Sequence, residues 1–498
     1  MKRSTFRRRV IAVIAASAAV AALSAAGSAR ASDFSDDLKA RRARVMERLG
    51  PDALLILWSA PAARYSLDVD YEYRQDSNLF YLTGMTQEQT MLVLMPGNEK
   101  RREILFIKDR NPSREQWTGR LMTADEAKAH TGIETVLNAS QFDAFVSGIL
   151  GGQGFGPVTD TEAAVFLKAL GAGRARLALP LDAGRRVNDA LTPPLEFAQK
   201  VRDRFFGFQI VDLTPVLTEF RMVKTPYERK VLGTSLEISS DAQKAGMRSA
   251  HEGAYEYEVK AAIEAVFRAR GADSWSYPSI VGSGPNATIL HYPHSDRQML
   301  QGELLLVDAA CNYQYASGDI TRTYPITGRF TPAQKDIYQI VLEAQDASAA
   351  LAKPGATLKQ MHDKTVEVIK AGLLKLGLIA DASGDQYRMW YVHGSSHYIG
   401  IDVHDVGANT RPLEPGMAFT IEPGIYIRES TLDALPRTPE NDALIARIRP
   451  AVKKYADIGV RIEDSFLLEE SGLRRLSASV PRTIEEIEAF LRKPRGGQ

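Results

Sequence analysis

ELLLVDAACNYQYASGDITRTYPI, residues 303–326, begins and ends in strand-like texture. Leu304 to Val307 form an aliphatic run that stops at Asp308, the pattern of a short buried strand. NYQYASG reads as a connection, and DITRTYPI as a return strand beginning at Asp319. A hairpin of this kind brings two carboxylates from adjacent strands together. Either aspartate alone reads as a solvated turn residue. One that closes an aliphatic strand is harder to dismiss, because a buried carboxylate without a partner is costly.

Two later segments repeat the pattern of an acid at the end of a strand. In LEPGMAFTIEPGIYI (413–427), Glu414 lies in a turn and reads as solvent-facing, whereas Glu422 ends the apolar run MAFTIE. In GVRIEDSFLL (459–468), alternation places Arg461 and Glu463 on one face and Ile462 on the other. An arginine so placed either orients a ligating carboxylate or forms an ordinary ion pair on its face.

VHGSSHYIGIDVHDVG (392–407) holds His393, His397 and His404. The spacing nearly copies a zinc-protease helix, in which two histidines stand one turn apart. Gly394, two serines and β-branched residues make a poor helix, however. Gly394 also stands where that motif carries its glutamate, and His404 is one position too far. The helix is rejected, and His397 is taken as the single imidazole ligand.

Asp308, Asp319, His397, Glu422 and Glu463 thus offer four carboxylates and one imidazole. Their charge balances two divalent cations. The oxygen-rich set favours Mn(II) or a similar hard ion, with Zn(II) or Co(II) as alternatives. Two ions about 3.5–4 Å apart can bridge a water, lower its pKa and polarise a carbonyl.

Around this region the chain divides in two. Residues 32–217 read as an α/β domain: DALLILW (52–58) is a strand, TMLVLM (90–95) and EILFIK (103–108) form a hairpin, and RARLALP and FQIVDL are later strands. GILGGQGFG (148–156) reads as a loop. Residues 218–498 read as an α+β domain. Its first helix starts with Thr225 as N-cap, Pro226 in the first turn and Glu228 completing a capping box, and it runs through Ala250. A second covers EYEVKAAIEAVFRARGA, closed by Gly271. A curved antiparallel sheet follows Trp275, with helices returning at 332–352 and 357–378.

The chain has 498 residues, 44% hydrophobic and 25% charged, an ordinary globular balance. Residues 1–31 carry six basic side chains and no acid, so without them the net charge of +1 becomes −5. A mildly acidic remainder argues against a nucleic-acid partner. The segment itself has a basic start, an apolar run from Val10 to Ala26 and an Ala-x-Ala end at Ala31. It reads as an export signal cleaved after Ala31, implying a periplasmic or secreted protein with no membrane association after cleavage. The apolar run is shorter than a spanning helix needs. Cys311 is the only cysteine, so no internal disulfide forms.

The motifs ILHY (289–292), LLLVDAACNYQYASGDITRTYPI, HGSSHYIGIDVHDVG, FTIEPGIYI and GVRIEDS resemble those of the pita-bread metallopeptidases. That family includes aminopeptidase P, prolidase and methionine aminopeptidase. YRQDSNLFYLTGMTQEQTMLVLM (73–95) is similar to the creatinase-like N-terminal domain of aminopeptidase P. The resemblance implies a pita-bread catalytic domain behind an α/β domain, and a hydroxide bridging two metals as nucleophile. It implies that Asp319 binds one metal, that Asp308 and Glu463 bridge the pair, and that His397 and Glu422 bind the other. Glu422 would also be the general base. His291, His393 and His404 would donate to the scissile region, with Tyr426 and Arg461 behind them. His130, His251, His294 and His362 are read as structural. Two positions depart from the family pattern: PHSD after ILHY, and Ser395 where Gly or an apolar residue is common.

The implied activity is Xaa-Pro aminopeptidase, on peptides with proline second. Prolidase is the alternative, and an inactive peptide-binding protein on the same fold a distant one. The family also implies a homo-oligomer, a dimer or tetramer.

Overall fold

The computed structural model describes residues 33–181 and 186–493, so the expected export signal lies outside the described residues. The chain divides between Phe220 and Arg221 into two compact units. The division falls within helix Thr214–Met222, so the boundary expected at 217/218 lies in a helix rather than a loop.

The first unit is built on a six-stranded sheet. Strands Ala53–Trp58, Met91–Leu94 and Glu103–Ile107 form its antiparallel centre, and the hairpin expected at 90–108 is present. Ala175–Leu179 and Phe208–Asp212 extend one side in parallel, and Thr135–Asn138 the other. The central strands are buried aliphatic runs, as a sheet covered on both faces requires. The glycine-rich loop begins later than expected. Helix Phe142–Leu150 absorbs Gly148, because Phe142, Phe145, Val146 and Ile149 place an apolar stripe on the sheet.

The second unit carries the carboxylates. Helix Pro226–Ser249 starts at the Thr225–Glu228 capping box and packs on helix Glu256–Ala269. Helices Pro332–Ala349 and Leu358–Lys375 start at capping boxes of their own and pack together. The sheet they cover is antiparallel and discontinuous. Ile280–Ser283, Leu304–Asp308 and Thr321–Pro325 form one piece, and Ala418–Ile421, Asp464–Glu469 and Gly472–Arg475 another. A bridge between Thr321 and Glu463 joins the two pieces.

One expectation needs correction. The return strand begins at Thr321, not Asp319. The connection is itself structured: Cys311–Tyr313 pairs with Ala316–Ser317 and with Ser274–Trp275. Gln314 and Tyr315 make its tight turn with positive φ. Cys311 is fully buried there, its Sγ 3.4 Å from Ser239 Oγ.

Candidate active site

The register sets the acids side by side. Asp308 ends its strand opposite Ile280 on one side and Thr321 on the other. Asp319 precedes Thr321 by two residues, and Glu463 N donates to Thr321 O at 3.1 Å. Glu422 follows strand Ala418–Ile421, where Pro423 interrupts pairing, and its N donates to Ser395 O at 2.8 Å. The segment around His397 is extended. Thr420 N donates to His397 O at 2.9 Å, and Tyr398 bridges Phe419. His393 and His397 therefore share no helix.

These elements line a cavity of about 620 Å³ that includes Asp308, Asp319, His397, Glu422 and Glu463. Asp308, Asp319 and Glu463 offer oxygens within 4.8 Å of one another, as do the ligand atoms of His397, Glu422 and Glu463. His397 Nε2 lies 3.3 Å from Asp319 Oδ2, 3.5 Å from Glu422 Oε1 and 3.9 Å from Glu463 Oε1. Its Nδ1 is 3.1 Å from Tyr398 O and must donate there. Nε2 is left facing the three carboxylates, free to take a metal. That arrangement calls for a cation between them, and it is how a ligating histidine is usually oriented.

The electrostatics agree. Burial, then the Asp308 charge, pushes Asp319 well above the carboxylate range. Burial, then Asp319, does the same to Glu463. Burial and Glu463 raise Glu422 to about 8. Acids so crowded ionise together only when positive charge is supplied. Arg461 supplies part of it: Nη2 donates to Asp308 Oδ2 at 2.6 Å, and Nε to Thr321 Oγ1 at 3.1 Å. Burial opposes its charge, but Tyr426 and the carboxylates of Asp308, Glu463 and Glu422 hold it fully protonated. The donor set fits two hard divalent ions.

Arg461 Nη1 also donates to Tyr426 Oη at 2.9 Å, and Tyr426 Oη is 2.8 Å from His393 Nε2. His393 Nδ1 lies 2.7 Å from Gly394 O. Burial, then Arg461, lowers His393 to about 3, so the ring is neutral: Nδ1 donates to Gly394 and Nε2 accepts from Tyr426. His393 thus has no N–H left for the scissile region in this arrangement, contrary to the donor role expected of it. His291 and His404 line the same cavity and are exposed. The His404 ring meets His397 edge-on at 4.3 Å.

Two contributors escaped the sequence reading. Tyr277 Oη donates to Asp319 Oδ1 at 2.6 Å and also to Asp308. Thr321 Oγ1 donates to Glu463 Oε2 at 2.7 Å. Both become visible only through strand register.

The model of metallopeptidase family M24 matches residues 231–470, and that of the aminopeptidase P N-terminal domain matches residues 38–155. The Xaa-Pro aminopeptidase of Escherichia coli (strain K12) is 33% identical over 465 residues, 91% of this chain and 97% of the relative. The chain belongs to metallopeptidase family M24. Human Xaa-Pro aminopeptidase 3 is 31% identical, with 88% of this chain and 81% of the relative covered. Among solved M24 structures, Pseudomonas aeruginosa aminopeptidase PepP superposes with a TM-score of 0.76 at 33% identity, covering 93% of this chain and 98% of that one. Aminopeptidase P from E. coli with the inhibitor Pro-Leu gives 0.76 at 32%, covering 92% and 98%.

Proposed function

We propose that this M24 chain is a metal-dependent Xaa-Pro aminopeptidase, cleaving between an N-terminal residue and a following proline. The observation that carries the reading is His397 Nε2 turned onto Asp319, Glu422 and Glu463, in a chain 33% identical to an Xaa-Pro aminopeptidase along nearly its whole length.

Asp308, Asp319, His397, Glu422 and Glu463 would hold two divalent ions, manganese in our reading. When bound, these ions supply the charge that lets the acids ionise together and the Lewis acidity that activates water and the scissile carbonyl. The remaining work falls to the chain. Glu422, 18% exposed at the cavity wall, takes a proton from the attacking water and passes it to the departing proline nitrogen. His404 and His291 offer N–H groups to the carbonyl oxygen as it gains charge. Arg461 and Tyr426 fix His393 as an oriented wall. The bond to proline is a tertiary amide without N–H, so a site shaped for it can exclude ordinary peptides, whose N–H would be left unpaired.

The similarity of residues 38–155 to the aminopeptidase P N-terminal domain favours the aminopeptidase over prolidase. The test is a peptide panel with the Mn(II)-loaded protein. Ala-Pro-Ala should be cleaved, Ala-Ala-Ala left intact, and Ala-Pro should not be the sole substrate. Cleavage of the dipeptide alone would make the chain a prolidase. Export through residues 1–31 belongs to the same reading; N-terminal sequencing of the mature protein should begin at Ser32. Assembly into a dimer or tetramer is tested by light scattering.

A further inference from the structure

We propose that Gln345 is a positioning residue for the metal cluster: its amide replaces a backbone donor that Pro423 cannot supply, and so fixes Glu422 opposite Glu463. The inference rests on the two-metal reading above and not on the choice of peptide.

Two ladders flank the glutamates. In one, Ile421 pairs with Asp464, and in the other Gly424 pairs with Arg461. Both keep one register, so Glu422 stands opposite Glu463 and Pro423 opposite Ile462. Bonded pairs recur at every second position of that register. Leu468 N donates to Met417 O, and Ile427 N to Ile458 O, each at 2.9 Å. Pro423 and Ile462 fall in the same series, and a bonded antiparallel pair exchanges two N–H···O bonds. Here only one can form. Ile462 N donates to Pro423 O at 3.3 Å, but proline has no N–H to return to Ile462 O. The gap lies beside the two glutamates.

Gln345 fills it from helix Pro332–Ala349, and its side chain is fully buried. Nε2 donates to Ile462 O at 3.2 Å, to Ile421 O at 2.9 Å and to Asp464 Oδ2 at 3.2 Å, two hydrogens serving three acceptors. Arg482 Nη1 donates to Oε1 at 2.8 Å, and arginine has no acceptor, so the amide cannot be turned round. Ile421 and Ile462 immediately precede Glu422 and Glu463. One amide thus ties together the two carbonyls from which the ligating residues spring. Alternation sends the glutamate side chains to the cavity and Asp464 to the helix side, so Gln345 acts from behind the site.

The test is Mn(II) titration of chelated full-length protein followed by electron paramagnetic resonance, which distinguishes free Mn(II) from coupled ion pairs. The wild type should take two ions per chain. Gln345→Met keeps the length of the side chain and removes the donor. Its affinity for the second ion should fall about 10–100-fold, and the coupled-pair signal should weaken. Arg482 also reaches Asp346 Oδ1 at 2.7 Å, so its charge is not stranded by the change. Pro423→Ala in the Gln345→Met background supplies the missing N–H and should restore most of the affinity and the signal. A role in packing alone would lower the thermal midpoint of the chelated protein and leave both affinities at their wild-type values. That result would overturn the proposal, as would a loss that Pro423→Ala does not relieve. Should Gln345→Met not fold, the double variant decides: near wild-type binding of two ions supports the role, and failure to fold or to take the second ion overturns it. A wild type that binds no ion pair would overturn the metal site and this role together. Failure to cleave Ala-Pro-Ala with both ions bound would overturn the aminopeptidase reading alone.

Discussion

Tyr277 reaches two of the site's carboxylates with one hydroxyl, and burial with the charges of Asp308 and Asp319 keeps it protonated. It holds those oxygens in place from outside the ligand set. Tyr277→Phe should therefore fold normally yet lose about 10–100-fold in metal affinity or activity, measured by metal titration and initial rates. Glu463→Gln removes a charge from the centre of the cluster. It should abolish activity and lower bound metal by elemental analysis, and wild-type activity would refute the assignment. Glu422→Gln should cut kcat by about 10²–10⁴-fold. The acids were legible in the sequence because each ends or adjoins an apolar strand, where a charge demands an explanation. Tyr277 was not. It lies 31 residues from Asp308, and only the Ile280–Asp308 register brings it near.

Residues 400–407 carry His404 and are pinned by an ion cluster. Asp405, with its side chain 1% exposed, pairs with Lys224 Nζ at 2.6 Å and Arg221 Nη2 at 2.5 Å, and Arg221 also reaches Asp402 at 2.7 Å. Gly400 is required here, since a Cβ would collide with the Asp405 carboxylate. Asp405→Asn leaves buried cations short of a partner and should cost about 3–5 kcal/mol in urea unfolding. Burial opposes the Asp405 charge, but Lys224 and Arg221 outweigh it and hold the carboxyl below its ordinary range. A depressed folded value contributes stability above the unfolded value, near 3.9, and loses it as pH falls through the folded one. Unfolding midpoints should thus decline below about pH 4 in the wild type, and this part of the decline should be missing in Asp405→Asn. The helices of this unit were legible from their capping residues. The hairpin inside 309–320 was not, because its strands are two and three residues long and carry no periodicity.

At the scale of the whole molecule, the crowded carboxylates should make stability depend on cations. Burial and mutual repulsion raise Asp319, Glu463 and Glu422, the last to about 8. A raised carboxyl costs stability above its unfolded value of about 4, and the cost grows until pH passes the folded value. Chelated protein should lose thermal stability from about pH 5 to pH 8, and Mn(II) should restore it; a midpoint independent of both would contradict the site. The α/β and α+β division was readable from texture, since buried aliphatic strands and capped helices are local signals. The discontinuous sheet of the second unit was not, because its pieces are joined by pairings between distant residues such as Thr321 and Glu463. The most direct test of the account is release of alanine from Ala-Pro-Ala as Mn(II) is titrated into chelated protein. Release should be absent at first and rise to a plateau at two ions per chain, with Ala-Ala-Ala uncleaved throughout. Full release in chelator, or equal cleavage of both peptides, would contradict it.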